Sequence, residues 1–257
     1  KTRRQQPVVE TTVNDARLFD FGKETFGYLN LIGIKGSGII YIYYGESKEE
    51  ALDFEHCETL DRIEVKKGML QPESLGSKAF RFVCIKTEGS VRFATVNMDY
   101  EYSPYDNKKS GSFKCNDPLL NNIWKVAAYT MDLTTREFFV DGIKRDHWVW
   151  SGDSYQTFFM NYYLTGDKAI TERTLIALLG KPPYIQHINA INDYSSYLIF
   201  SILDYYKFSG NIEFLKEVYD RVKMLYRFFV SRLDKNGFVV EHPGDWVFID
   251  WADFDRE

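Results

Sequence analysis

The chain has 257 residues, 44% hydrophobic and 27% charged, an ordinary globular composition with length for one large domain or two of typical size. Its 32 Lys and Arg against 37 Asp and Glu leave a net charge of -5, which gives no electrostatic case for binding nucleic acid or anionic lipid. No run approaches the ~18 apolar residues of a membrane span, Lys1 to Glu10 lack the apolar run of a secretory leader, and Cys57, Cys84 and Cys115 fit neither a disulfide framework nor metal-ligand spacing.

Residues 1–105 read as β. Tyr28 to Ile34 is an apolar run, Gly36-Ser37-Gly38 supplies a turn, and Ile39 to Tyr44 follows, rich in β-branched and aromatic residues. Ala79 to Ile85, a turn at Gly89 and Val91 to Val96 continue the pattern, whereas Asp53 to Gly76 reads as a long connection. Short strands between Gly and charged turns predict an antiparallel β-sandwich. The period changes from 2 to 3.6 across Ser103–Ser110.

Residues 106–257 read as α, with five helices. Asp117-Pro118 starts the first, which carries Leu119, Ile123, Val126, Thr130 and Leu133. The second runs from about Ser154 to Leu164 with Asp153 as a candidate cap. Gly166-Asp167 separates it from a third that ends at Leu179, and Tyr194 to Phe208 forms the fourth. The last, Ile212 to Leu233, places Leu215, Val218, Val222, Leu225 and Phe229 on one face. The stops at Gly166 and Gly210 lie 44 residues apart, the size of a helical-hairpin repeat. Long connections at 134–152, 180–193 and 234–257 alternate with short ones. In an up-and-down toroid, alternate connections emerge at the same end, so all three are expected at one rim.

Those connections hold four of the five Trp and much of the acid. The richest stretch, residues 137–153, contains Glu137, Asp141, Lys144, Arg145, Asp146, His147, Trp148, Trp150 and Asp153. A solvated loop with ion pairs and two Trp dipping into the core would use the same residues. A sugar site would use them differently. Glycoside cleavage needs one carboxylic acid to protonate the leaving oxygen and a second carboxylate to activate water or attack carbon. Further Asp residues accept from hydroxyls, and Trp covers the apolar sugar face. A metal site is disfavoured by the absence of a His pair at ligand spacing, and a phosphate loop by the absence of a Gly-rich run with Lys.

The run Asp141-Gly142-Ile143-Lys144-Arg145-Asp146-His147-Trp148-Val149-Trp150-Ser151-Gly152-Asp153 resembles the signature loop of bacterial α-L-rhamnosidases. Asp20 to Tyr28 and Tyr44 to Ser47 resemble their β-sandwich domain, Phe113 to Trp124 the start of their barrel, and Asp245 to Trp251 a later substrate loop. The resemblance implies an (α/α)6 barrel, here incomplete, and hydrolysis of terminal α-L-rhamnose with inversion. It implies no cofactor or metal, and a rhamnose-containing saccharide or glycoside as partner. By position it makes Asp141, Arg145, Trp150, Asp153, Trp246, Asp250 and Trp251 sugar contacts. The family's general acid is usually Glu at the sixth or seventh position of the loop. Asp146 and His147 stand there, so Asp146 is the expected acid and Glu137 the next candidate. Asp is one methylene shorter, which sets the proton donor back by ~1.5 Å. The family's general base, a Glu of the second half of the barrel, is expected beyond Glu257. Exported polysaccharide-degrading relatives imply a periplasmic or secreted setting rather than the cytoplasm. Two rival readings keep the fold: a degenerate rhamnose-binding protein, and a helical toroid whose Trp loops bind another polypeptide.

Overall fold

The computed structural model describes residues 1–68, 75–103 and 111–246. The chain forms two compact units. One comprises Lys1–Pro104 together with Ile143–Asp146, and the other Tyr105–Gly142 with His147–Glu257.

The first unit is a seven-stranded, wholly antiparallel sheet of β1 (Thr2–Gln5), β2 (Val9–Val13), β3 (Ala16–Ile32), β4 (Gly38–Gly45), β5 (Thr59–Val65), β6 (Lys78–Gly89) and β7 (Thr95–Glu101). The order is β1-β7-β3-β6-β4-β5, with β2 also on β3. Strand β3 is the organiser. Its first half pairs with β2 and β6, its register shifts between Asp20 and Thr25, and its second half pairs with β7. Such an irregularity bends a strand and raises its twist, so one strand serves two parts of the sheet. Phe19, Phe21, Leu29 and Leu31 of β3 join Ile40, Ile42, Phe80, Ile85, Val96 and Met98 in the main core. A smaller cluster is covered by helix α1 (Lys48–Leu52), which seats Ala51 with Ala16, Leu18 and Cys84. The antiparallel sheet agrees with the fold class read from the sequence.

Two details differ from expectation. The segment 53–76 is not merely a connection, because it holds β5, paired to β4 from Gly38↔Val65 to Tyr44↔Thr59. Val91 and Phe93 are buried, but ladder pairing starts only at Thr95. The Lys35↔Arg92 bridge turns the chain first.

The helical unit contains α2 (Pro118–Thr134), α3 (Ser151–Leu164), α4 (Lys168–Leu179), α5 (Tyr194–Ser209) and α6 (Ile212–Val230), with a 3-10 turn at Ile188–Ala190. Local chemistry explains most ends. Asp117 accepts from the Leu119 N–H, Asp167 from Ala169 and Ile170, and Asn211 from Phe214. Gly210, at φ 65°, closes α5 in the left-handed conformation that glycine adopts without cost. Phe139, Phe158, Leu175, Leu198, Ile202, Val218 and Leu225 form the core. Burying each of these large side chains contributes about 1.5–3 kcal/mol. Among the described residues the helices match the expected five, and they form an open array rather than a closed barrel. In α2 the expected apolar face is buried only at its end: Leu133 is buried, but Leu119, Ile123 and Val126 are exposed, while Trp124, Ala128 and Met131 meet the core.

Candidate functional site

The three long connections of the helical unit are tied together by hydrogen bonds. The side chain of Asn189 accepts from the Ser151 N–H at 2.9 Å and donates to the Val149 carbonyl at 3.1 Å. The next residue, Ala190, accepts from the Trp246 N–H at 2.7 Å, and Ile191 and Trp246 form a parallel bridge. Gln186 donates to the Gly244 carbonyl. Asn189 and Ala190 both have positive φ, 54° and 64°. That conformation costs a residue such as Ala about 1–2 kcal/mol, and here it aims two consecutive residues at two other connections. His187 anchors the same segment: its Nδ1 lies 3.1 Å from Ser195 Oγ and its ring meets Phe228 and Phe229. Burial pushes its imidazole below the usual pKa, so it is a neutral core residue.

Asn189 also explains where α3 begins. The sequence places the start at Ser154, after Gly152, with Asp153 as cap. The helix starts three residues earlier, at Ser151, behind Trp150, whose side chain makes no capping bond. The orphan N–H of Ser151 is satisfied by Asn189 from another connection. Asp153 therefore sits in the first turn, where the helix dipole favours a carboxylate. Gly152 does not break the helix. A Cβ on it would lie 2.6 Å from Tyr194 Cε1, so glycine is required for the approach of α5.

At this corner Trp150, Asp153, Tyr194 and Trp246 come together. The Trp150 and Trp246 rings are 6.3 Å apart at 65°, and the Trp150 and Tyr194 rings 6.3 Å apart at 80°. Tyr194 Oη donates to Asp153 Oδ2 at 3.2 Å, and Ser151 Oγ donates to the Tyr194 carbonyl at 2.8 Å. Burial and the neighbouring Asp153 raise the Tyr194 phenol, keeping it a donor. An edge-packed aromatic group beside an exposed carboxylate suits a ligand with apolar faces and hydroxyls. Tyr194 and Asn189 were not legible as site residues, because their partners lie about forty residues away in sequence; the tight packing of Gly152 is the only trace.

The rest of the signature loop is divided. Asp141 closes it from one side, accepting the Trp148 N–H at 2.9 Å while its own N–H reaches the Trp148 carbonyl at 3.0 Å. Between them, Ile143–Asp146 belongs to the β unit. There Lys144 Nζ donates to Glu50 Oε1 at 2.6 Å and lies 3.7 Å from Glu46. Ser47 caps α1, its Oγ accepting from the Glu50 N–H, while Glu50 Oε2 accepts from the Glu46 N–H. Burial pulls the Lys144 ammonium down, but Glu50 and Glu46 outweigh it and raise it overall. Glu24 responds to the same group: burial, then Glu46, push its carboxyl up to about 8, against the pull of Lys144. Arg145, Asp146, His147 and Trp148 are exposed. Glu137 is also exposed and lies 3.5 Å from Arg173. Asp250 and Trp251 lie outside the described residues. Among the described residues no group of His, Cys, Asp or Glu is placed to hold a metal ion, and no helix is long and apolar enough to cross a membrane.

With these positions in place, comparison is informative. A family model for the bacterial alpha-L-rhamnosidase 6 hairpin glycosidase domain matches residues 108–257, over half of the chain. The chain belongs to the bacterial alpha-L-rhamnosidase family. A second family model, alpha-rhamnosidase-like, bacteroidetes, N-terminal, matches residues 1–85. Among solved structures, the chain is similar to a rhamnosidase from Klebsiella oxytoca with rhamnose bound, at 18% identity and TM-score 0.74, covering 98% of this chain and 61% of that one. It is similar to a GH78 family rhamnosidase of Bacillus sp. GL1 at 23% identity and TM-score 0.76, covering 97% and 28%. An alpha-L-rhamnosidase of Streptomyces avermitilis complexed with L-rhamnose gives 14% and 0.63, covering 90% and 24%. At these identities the likeness establishes the rhamnosidase fold, and the chain spans less than two thirds of each of those proteins. No curated protein sequence matches it.

Proposed function

We propose that this chain supplies the sugar-holding part of a glycoside hydrolase that removes terminal α-L-rhamnose with inversion. The observation that carries the reading is the meeting of Trp150 and Trp246, from connections far apart in sequence, beside Asp153 in the first turn of α3, in a chain of the rhamnosidase family. In this reading Trp150 and Trp246 cover an apolar face of the sugar, and Asp153 accepts from its hydroxyls. Asp141, Arg145, Asp250 and Trp251 complete the contacts. Asp146 is the general acid that protonates the departing oxygen. Its exposure suits a group that must meet the leaving oxygen. Glu137 is the second candidate. The carboxylate that activates water is expected from the part of the rhamnosidase fold that this chain does not span.

The test uses the natural full-length protein and two α-L-rhamnosides, one with an activated aryl leaving group and one with a poor alkyl leaving group. Hydrolysis of both, with β-L-rhamnose as the first product seen by NMR, supports the reading. No cleavage of either, or retention of configuration, contradicts it.

A further inference from the structure

We propose that Tyr194 is a positioning residue of the sugar site, holding the Asp153 carboxylate in place beside Trp150. The inference rests on the rhamnosidase reading and adds a residue to it. Three contacts converge on Tyr194. Its hydroxyl donates to Asp153 Oδ2 at 3.2 Å. Its ring meets the Trp150 ring edge-on at 6.3 Å. Its ring also occupies the space above Gly152, where a single added methyl group would come within 2.6 Å of Cε1. The main chain is fixed separately by the bond from Ser151 Oγ to the Tyr194 carbonyl, so the ring projects from a held backbone. Tyr194 is the first residue of α5 and Asp153 lies in the first turn of α3, which makes the pair a link between two helix starts.

The chemistry follows from valence. An ionised carboxylate offers about four acceptor positions on two oxygens. A phenol donating to Oδ2 restricts the carboxylate plane and so fixes the orientation in which Asp153 meets a sugar hydroxyl. Without that bond the carboxylate samples other rotamers, and sugar binding must restrict it again. The effect belongs to binding of the sugar, not to protonation of the leaving group.

The experiment is L-rhamnose titration calorimetry and rhamnoside kinetics on the full-length protein, its Tyr194→Phe variant, Asp153→Asn, and the double variant. Tyr194→Phe keeps the ring and removes only the hydroxyl, so its melting temperature should stay within ~2 °C of the parent, as for loss of one exposed bond. L-rhamnose should bind about tenfold more weakly, with KM raised about tenfold, the usual size for one hydrogen bond to a charged group. In the Asp153→Asn background the same change should cost less than about twofold, since the two residues act as a unit. Full additivity of the two losses, or an unchanged Kd in Tyr194→Phe of an active enzyme, overturns the inference alone. A parent protein that neither binds L-rhamnose nor cleaves rhamnosides overturns the functional reading, and the inference falls with it.

Discussion

The signature loop is held in two unlike ways. Residues 143–146 are fixed by charge: Lys144 sits with Glu50 and Glu46, and Glu24 feels all three. Residues 147–153 are fixed by backbone hydrogen bonds and rings, through Asp141, Asn189, Tyr194 and Trp246. The first kind of attachment depends on pH and weakens when a partner is removed. The second depends chiefly on shape and on hydrogen bonds. In the rhamnosidase reading, the expected acid Asp146 stands on the charged stretch, while the sugar contacts Trp150 and Asp153 stand on the aromatic one. Chemistry and binding should therefore be separable by mutation.

The largest expected effect is on Asp146. Asp146→Asn should lower kcat by ~10²-fold or more on a rhamnoside with a poor leaving group, and much less on an activated one. Asp153→Asn should instead lower kcat/KM on both substrates alike, by about tenfold, because it loses sugar binding. Equal loss on both substrates for Asp146→Asn would remove it as the acid and bring Glu137 forward.

Next in size is the lysine. Lys144→Met leaves Glu50 and Glu46 facing each other without their cation and should destabilise the folded protein by about 1–3 kcal/mol, the cost of stranding a part-buried charge. Adding Glu50→Gln should recover part of that loss. If Lys144→Met leaves chemical denaturation unchanged, the charged attachment is only a surface ion pair.

A further effect concerns pH. The Glu24 carboxyl lies near about 8 in the folded protein against an ordinary 4.5. Between those values folding takes up a proton, so this group makes stability fall as pH rises through that window and level off above it. Glu24→Gln should flatten the slope of melting temperature against pH between 5 and 8. An identical slope in the variant would show that Glu24 is ionised when folded.

How far the sequence reaches follows the same division. Helix ends set by local side chains were legible: Asp117, Asp167 and Gly210 act where their neighbours in sequence say they should. Ends set from afar were not. The start of α3 depends on Asn189, 38 residues away, so Gly152 reads as a breaker when it is a contact point. Strand β5 was missed because Asp61, Arg62 and Glu64 interrupt its apolar signal; Asp61 faces inward, where Lys78 at 2.9 Å and Tyr44 at 2.8 Å satisfy it. The gathering of the long connections followed from counting helices and holds for 149–151, 186–191 and 244–246, while Asp250 and Trp251 lie outside the described residues. The signature loop was recognisable as a string, but its division between two attachments arises only in three dimensions.

The most direct measurement is a crystal structure of the full-length protein with L-rhamnose bound. The account predicts the sugar against the Trp150 ring, with a hydroxyl donating to Asp153 and Tyr194 still bonded to that carboxylate. Rhamnose bound away from residues 147–153, or Asp153 turned from the sugar while Trp150 stays packed against Trp246, would contradict it.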